Sequence, residues 1–124
     1  MLDKNKVLII EDDQDMRRAL NLRLRSNNYE TVFASDAIMA LSIAKREMPD
    51  LILLDLGLPG GDGFTVLDRL RDMAPLACIP VIVVSARDPE KNKERALEAG
   101  AAAFFQKPVE NSDLMVAIQR ALFQ

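Results

Sequence analysis

The stretch Leu51-Ile52-Leu53-Leu54-Asp55-Leu56-Gly57-Leu58-Pro59-Gly60-Gly61-Asp62-Gly63 decides how this chain folds. An unbroken aliphatic run with no room for a helix before the glycines reads as a strand buried on both faces. That strand delivers one carboxylate, Asp55, at its C-terminal end, and the Gly/Pro-rich segment after it continues neither strand nor helix. In open parallel sheets, sites form where strand C-termini open into loops, so an acid at that edge is a site candidate. An Asp that merely ends a strand is the plainer alternative.

To either side, short apolar runs alternate with helical periodicity. Val7–Ile10 is the first strand, followed by a helix from about Gln14 to Ser26 with Met16, Ala19, Leu20 and Leu24 inward and Leu22 outward. Thr31–Ala34 is the second strand; Ser35 is then the expected cap of a helix burying Ala37, Ala40, Leu41 and Ala44 and stopping before Pro49. After the Asp55 strand, a helix runs from about Gly63 to Met73 with Leu67 and Leu70 inward, ended by Pro75. Pro80–Ser85 is the fourth strand, a charged helix spans Pro89–Ala99, and Gly100 stops it. Ala102–Gln106 is the fifth strand, and Asn111 or Ser112 caps a last helix through Leu114, Ile118, Ala121 and Leu122. This (βα)5 alternation predicts an α/β fold, a doubly wound parallel sheet with helices on both faces.

At 124 residues, 49% hydrophobic and 28% charged, the chain reads as one globular domain, 1–124, without an appended effector module. A net charge of −3 and no Lys/Arg stripe interleaved with aromatics argue against direct nucleic-acid binding. The complete lack of His excludes His–metal sites, Ser–His catalysis and the role of a histidine phosphodonor. A lone Cys78 beside Ile79 reads as a small apolar residue before a strand. No secretory leader or membrane span is recognisable, so the expected compartment is cytoplasmic.

Once the strands lie in one sheet, their ends can be compared. The first ends in Glu11-Asp12-Asp13, the third in Asp55, the fourth in Ser85 and the fifth in Lys107-Pro108. Parallel strands put these ends on one edge. Acids gathered there repel one another at neutral pH, since free Asp titrates near pH ~3.9. Carboxylates with a backbone carbonyl and waters suit Mg²⁺, which leaves positions open for phosphate oxygens. Lys107 then brings a second positive charge, and Ser85 a hydroxyl, to an anion bound at Asp55. Each alone has a bland reading, because acids at a helix start answer the helix dipole and a Lys is usually solvated. Their meeting on one edge favours a common site.

These residues carry a resemblance. Glu11-Asp12-Asp13, Asp55 with Leu56–Gly63, Ser85-Ala86-Arg87 and Lys107-Pro108 are similar to the receiver domain of two-component response regulators, over Lys6 to Leu122. The resemblance implies a flavodoxin-like five-stranded sheet of order 2-1-3-4-5. It implies Asp55 as phosphoacceptor, Asp13 and Asp55 as direct Mg²⁺ ligands with the Gly57 carbonyl, and Asp12 as a ligand through water. Lys107 and the Ala86 backbone N–H would bind the phosphoryl group, Ser85 would be the switch hydroxyl and Phe104 the switch aromatic. A cis peptide between Lys107 and Pro108 is also expected, with the lysine aimed at Asp55. Two departures stand out: Phe104 lacks the hydroxyl of the frequent Tyr, and Ala102-Ala103 replaces acids common in the DNA-binding branch.

In function, the resemblance implies a signalling domain, not an enzyme in the usual sense. A histidine kinase or histidine phosphotransfer protein would donate the phosphoryl group, and the aspartyl phosphate would hydrolyse by itself. An output protein or fused effector would read the change, with the domain a monomer or a weak phosphorylation-dependent dimer. Among rivals, a flavin carrier would find its phosphate repelled by Glu11-Asp12-Asp13. A phosphatase of the haloacid dehalogenase type would have an acid where Gly57 stands. The remaining alternative is a receiver-like interaction module that is never phosphorylated, against which the intact chemical residues argue.

Overall fold

The run Leu51–Leu54 forms β3, with all four side chains buried, in a computed structural model that describes residues 4–123. It is flanked by β1 (Lys6–Ile10) and β4 (Val81–Ser85), with β2 (Glu30–Ala34) and β5 (Ala103–Gln106) at the edges. All neighbours pair in parallel, in the expected order 2-1-3-4-5. Between the strands run α1 (Gln14–Ser26), α2 (Ala37–Glu47), α3 (Gly63–Asp72), α4 (Pro89–Glu98) and, last, α5 (Asn111–Leu122).

Period-two alternation divides each central strand between two cores. Leu51 and Leu53 join Val7, Ile9 and Val84 under Leu20 and Leu24 of α1 and Leu114 and Ile118 of α5. On the other face, Ile52 and Leu54 join Leu8, Ile10 and Val83 under α2, α3 and α4. From β1 the chain crosses to β2 on one side, and β3 lies on the other, so the C-terminal ends of β1 and β3 flank a crevice. Ile10 is in register with Leu54, and Asp55 N donates to Ile10 O at 3.0 Å, which brings Glu11 and Asp55 to the crevice together.

Two helix starts depart from expectation, and at α2 a distant segment takes one of the first N–H groups. Asp36, not Ser35, caps α2: its Oδ1 accepts from Met39 N at 2.7 Å, while Ala37 N donates to Pro59 O at 3.2 Å. The loop after β3 thereby fixes where α2 begins, and its buried stripe takes in Ile43, with Leu41 half-buried. Neither Asn111 nor Ser112 caps α5. Both lie inside its first turn, Glu110 holds the cap position, and Ser112 Oγ donates to Glu110 Oε1 at 2.6 Å.

Helix α3 stops one residue before Met73, and a short 3-10 turn, Leu76–Cys78, leads into β4. Leu76 fills the core there, so Cys78 is exposed rather than packed as a small apolar residue. Gly100 follows α4 at φ +108°, a left-handed conformation that favours glycine. The Lys107–Pro108 peptide is cis as expected, and so is Ala74–Pro75.

Candidate functional site

Asp55 is 8% exposed at the C-terminal end of β3, and both of its oxygens are engaged. Oδ1 accepts from Gly57 N at 3.2 Å, and Oδ2 accepts from Lys107 Nζ at 3.2 Å. The same ammonium donates to Glu11 Oε1 at 2.6 Å. Carboxylate oxygens of Glu11, Asp12 and Asp55 lie within 4.8 Å of one another, with Asp12 on the solvent side. The geometry thus joins the ends of β1, β3 and β5 in one polar site.

Asp13, expected as a metal ligand, is not in this cluster. Its Oδ1 caps α1, accepting from Asp15 N at 2.9 Å and Met16 N at 3.2 Å. Glu11 takes the place in its stead, held by Asp13 N, which donates to Glu11 Oε2 at 3.2 Å. A signal for this exists in the sequence: an Asp immediately before a helix beginning at Gln14 is a strong N-cap, which shifts the acids facing the crevice one residue toward the strand. Arg17 fixes the turn by donating to Glu11 O at 3.1 Å.

The charges in the site are strongly perturbed. Burial pushes the Glu11 carboxyl up to about 7; the Lys107 hydrogen bond opposes this and the nearby Asp55 charge adds to it. For Lys107, burial works against the charged form, but the Glu11 hydrogen bond and charge, with Asp55, outweigh it and hold the ammonium above its ordinary range.

Ser85 is buried at the end of β4, its Oγ accepting from Arg87 N at 3.1 Å and its carbonyl accepting from Lys107 N at 2.8 Å. Phe104 pairs with Val83, and Ser85 with Gln106, so Ser85 and Phe104 share one face of adjacent strands. Phe104 is buried in the core on the α2–α4 side.

Comparison with known proteins agrees with this arrangement. The response regulator receiver domain family matches residues 7–119. The chain belongs to this family. The KDP operon transcriptional regulatory protein KdpE of Escherichia coli is 40% identical over 116 residues, covering 94% of this chain and 50% of KdpE. The receiver domain of the sensor histidine kinase PA1611 from Pseudomonas aeruginosa, solved with magnesium in its active-site cleft, superposes with a TM-score of 0.90 at 27% identity, covering 98% of this chain and 100% of that one. The BeF3-activated receiver domain of Klebsiella pneumoniae RstA gives 0.90 at 29%, covering 97% and 100%. The chain spans about half or less of the length of the curated relatives it matches.

As a receiver domain, the chain is a two-component signalling module. Its cluster offers hard carboxylate oxygens, one of them open to solvent, a donor set that fits a divalent cation such as Mg²⁺. Among the described residues no helix is long and apolar enough to cross a membrane. The role of Gly63 in the receiver site is visible only in three dimensions. A Cβ there would lie 2.5 Å from Leu56 Cα and 2.7 Å from Asp55 O, so the start of α3 rests directly on the backbone that carries Asp55.

Proposed function

We propose that this receiver domain accepts a phosphoryl group on Asp55 from a partner's phosphohistidine. The observation that carries this reading is the nearly buried Asp55 carboxylate, paired with Lys107 at 3.2 Å and set among the Glu11 and Asp12 carboxylates. Phosphohistidine brings its own good leaving group, so the domain need only position the nucleophile and neutralise charge. An Asp55 oxygen attacks phosphorus, the P–N bond breaks, and the imidazole leaves with the electron pair and takes up a proton. Asp12, Asp55 and the Gly57 carbonyl, with Glu11 completing the acidic set, would hold Mg²⁺, which would supply positive charge beside the phosphoryl oxygens. Lys107, the Ser85 hydroxyl and the Ala86 N–H are the donors to those oxygens.

The product, an acyl phosphate, is open to hydrolysis, so the signal ends without a second enzyme. Roughly two added negative charges draw Ser85 inward, and Phe104 repacks into the space beside it. A fused effector or a separate protein reads the change, in the cytoplasm, with the domain itself touching no nucleic acid. The test is incubation with Mg²⁺ and acetyl phosphate followed by intact-mass measurement. The expected result is the gain of one phosphoryl group, absent in Asp55→Asn. An unchanged wild-type mass sinks the reading and leaves a receiver-like interaction module.

A further inference from the structure

Two guanidiniums, from the loop after β4 and from α4, lie over the ring of Phe64. Arg95 Cζ of α4 sits 3.8 Å from its centroid and Arg87 Cζ sits 5.9 Å away. Arg87 also pairs with Asp62 at 3.4 Å, and Asp62 caps α3 by accepting from Phe64 N at 2.9 Å. Arg87 N in turn is bonded to Ser85 Oγ. A continuous set of contacts therefore leads from the buried hydroxyl of the site, through Arg87 and the Phe64 ring, to α4.

Helix α4 needs such a tie. Of its ten residues only Ala96 is buried, so burial of apolar side chains does little to fix its position. In its last turn Arg71 of α3 donates to Glu98 O at 3.0 Å, and three residues earlier Arg95 grips Phe64, so both contacts with α3 hold the C-terminal half of the helix. The start of α3 that carries Phe64 is seated on the strand loop: Gly63 N donates to Leu56 O at 2.8 Å and Gly63 lies against the backbone beside Asp55.

We propose that Arg95 is a positioning residue whose grip on Phe64 holds α4 in its resting place and opposes occupancy of the phosphoryl position. This rests on the reading of Asp55 as phosphoacceptor. On that reading the turn Ser85–Arg87 is drawn toward Asp55, and Asp88, the cap of α4, is the next residue and must follow. Phe64 is seated on the backbone beside Asp55, so a shift of α4 along α3 draws Arg95 off the ring. A contact made only in the empty state weakens binding to the occupied one by the same factor.

The experiment is a calorimetric titration of Mg²⁺-loaded protein with beryllofluoride, the activator of the RstA domain, using wild type, Arg95→Ala, Arg95→Lys and the exposed neighbour Glu94→Ala. Arg95→Ala should bind about fivefold more tightly, the scale of an ordinary cation–π contact, while Arg95→Lys, which keeps a cation over the ring, returns toward wild type. Glu94→Ala should bind as wild type does. A purely structural role would lower the melting temperature of Arg95→Ala and leave its affinity unchanged; equal affinities overturn the coupling while the acceptor reading stands. No binding by any of the four proteins overturns both.

Discussion

Lys107 Nζ and Glu11 Oε1, 96 positions apart in sequence, lie 2.6 Å apart at the floor of the site. The pair joins the last strand to the first across the mouth of β3. Lys107 is thereby the counter-charge of the acidic cluster as well as a donor to Asp55.

Glu11 makes stability depend on pH. Its carboxyl, ordinarily near 4.5, is pushed up to about 7 in the folded chain, chiefly by burial. Between those values the folded state binds more protons than the unfolded one, so the stabilisation is fully present below pH ~4.5 and is lost as pH rises toward ~7. The slope is at most about 1.4 kcal/mol per pH unit. Urea melts in metal-free buffer at intervals from pH 4.5 to 7.5 check this: the stability difference between wild type and Glu11→Gln should shift across that window. A difference that stays constant with pH contradicts the assignment.

Asp12 and Asp13 separate by role. Asp13→Ala removes a cap and should cost about 1 kcal/mol while leaving the rise in melting temperature with Mg²⁺ intact. Asp12→Ala should do the reverse, with little change in metal-free stability and a lost or much reduced Mg²⁺ response. Thermal melts with and without millimolar Mg²⁺ decide between them, and the opposite pattern restores Asp13 as a ligand.

Asp55→Asn removes the nucleophile and one charge while keeping the shape. Phosphoryl incorporation should vanish, and metal-free stability should hold or rise, because Asp55 is one of the charges acting against ionisation of Glu11. Radiolabel transfer from a phosphorylated histidine kinase, alongside a denaturant melt, reads both; undiminished labelling would place the phosphate elsewhere.

Gly63→Ala tests the seat of α3. The added methyl meets backbone atoms of Leu56 and Asp55 at 2.5 and 2.7 Å, and backbone cannot step aside as a side-chain end can. A loss of about 1–3 kcal/mol is expected, together with slower phosphorylation, since the clash falls on the segment holding the nucleophile. Gly57→Ala, where a Cβ meets nothing within 4 Å, is the control. Equal stability of the two variants would argue against the close approach.

The alternation of strands and helices, the parallel sheet, and the gathering of Asp55, Ser85, Lys107 and the acids after β1 on one edge are all legible in the order of residues. Those features are encoded locally: an apolar run of four or five residues has one way to be buried on both faces, and parallel strands share the direction of their ends. Packing settled the rest: that Glu11 meets Lys107 within the acidic cluster, that Asp36 rather than Ser35 begins α2, and that Arg95 closes on Phe64. The contacts that decide it come from segments distant in sequence: Lys107 on Glu11, Pro59 on Ala37, α4 on α3. Local periodicity carries no record of those contacts, because each is a distance between elements that exists only after they pack.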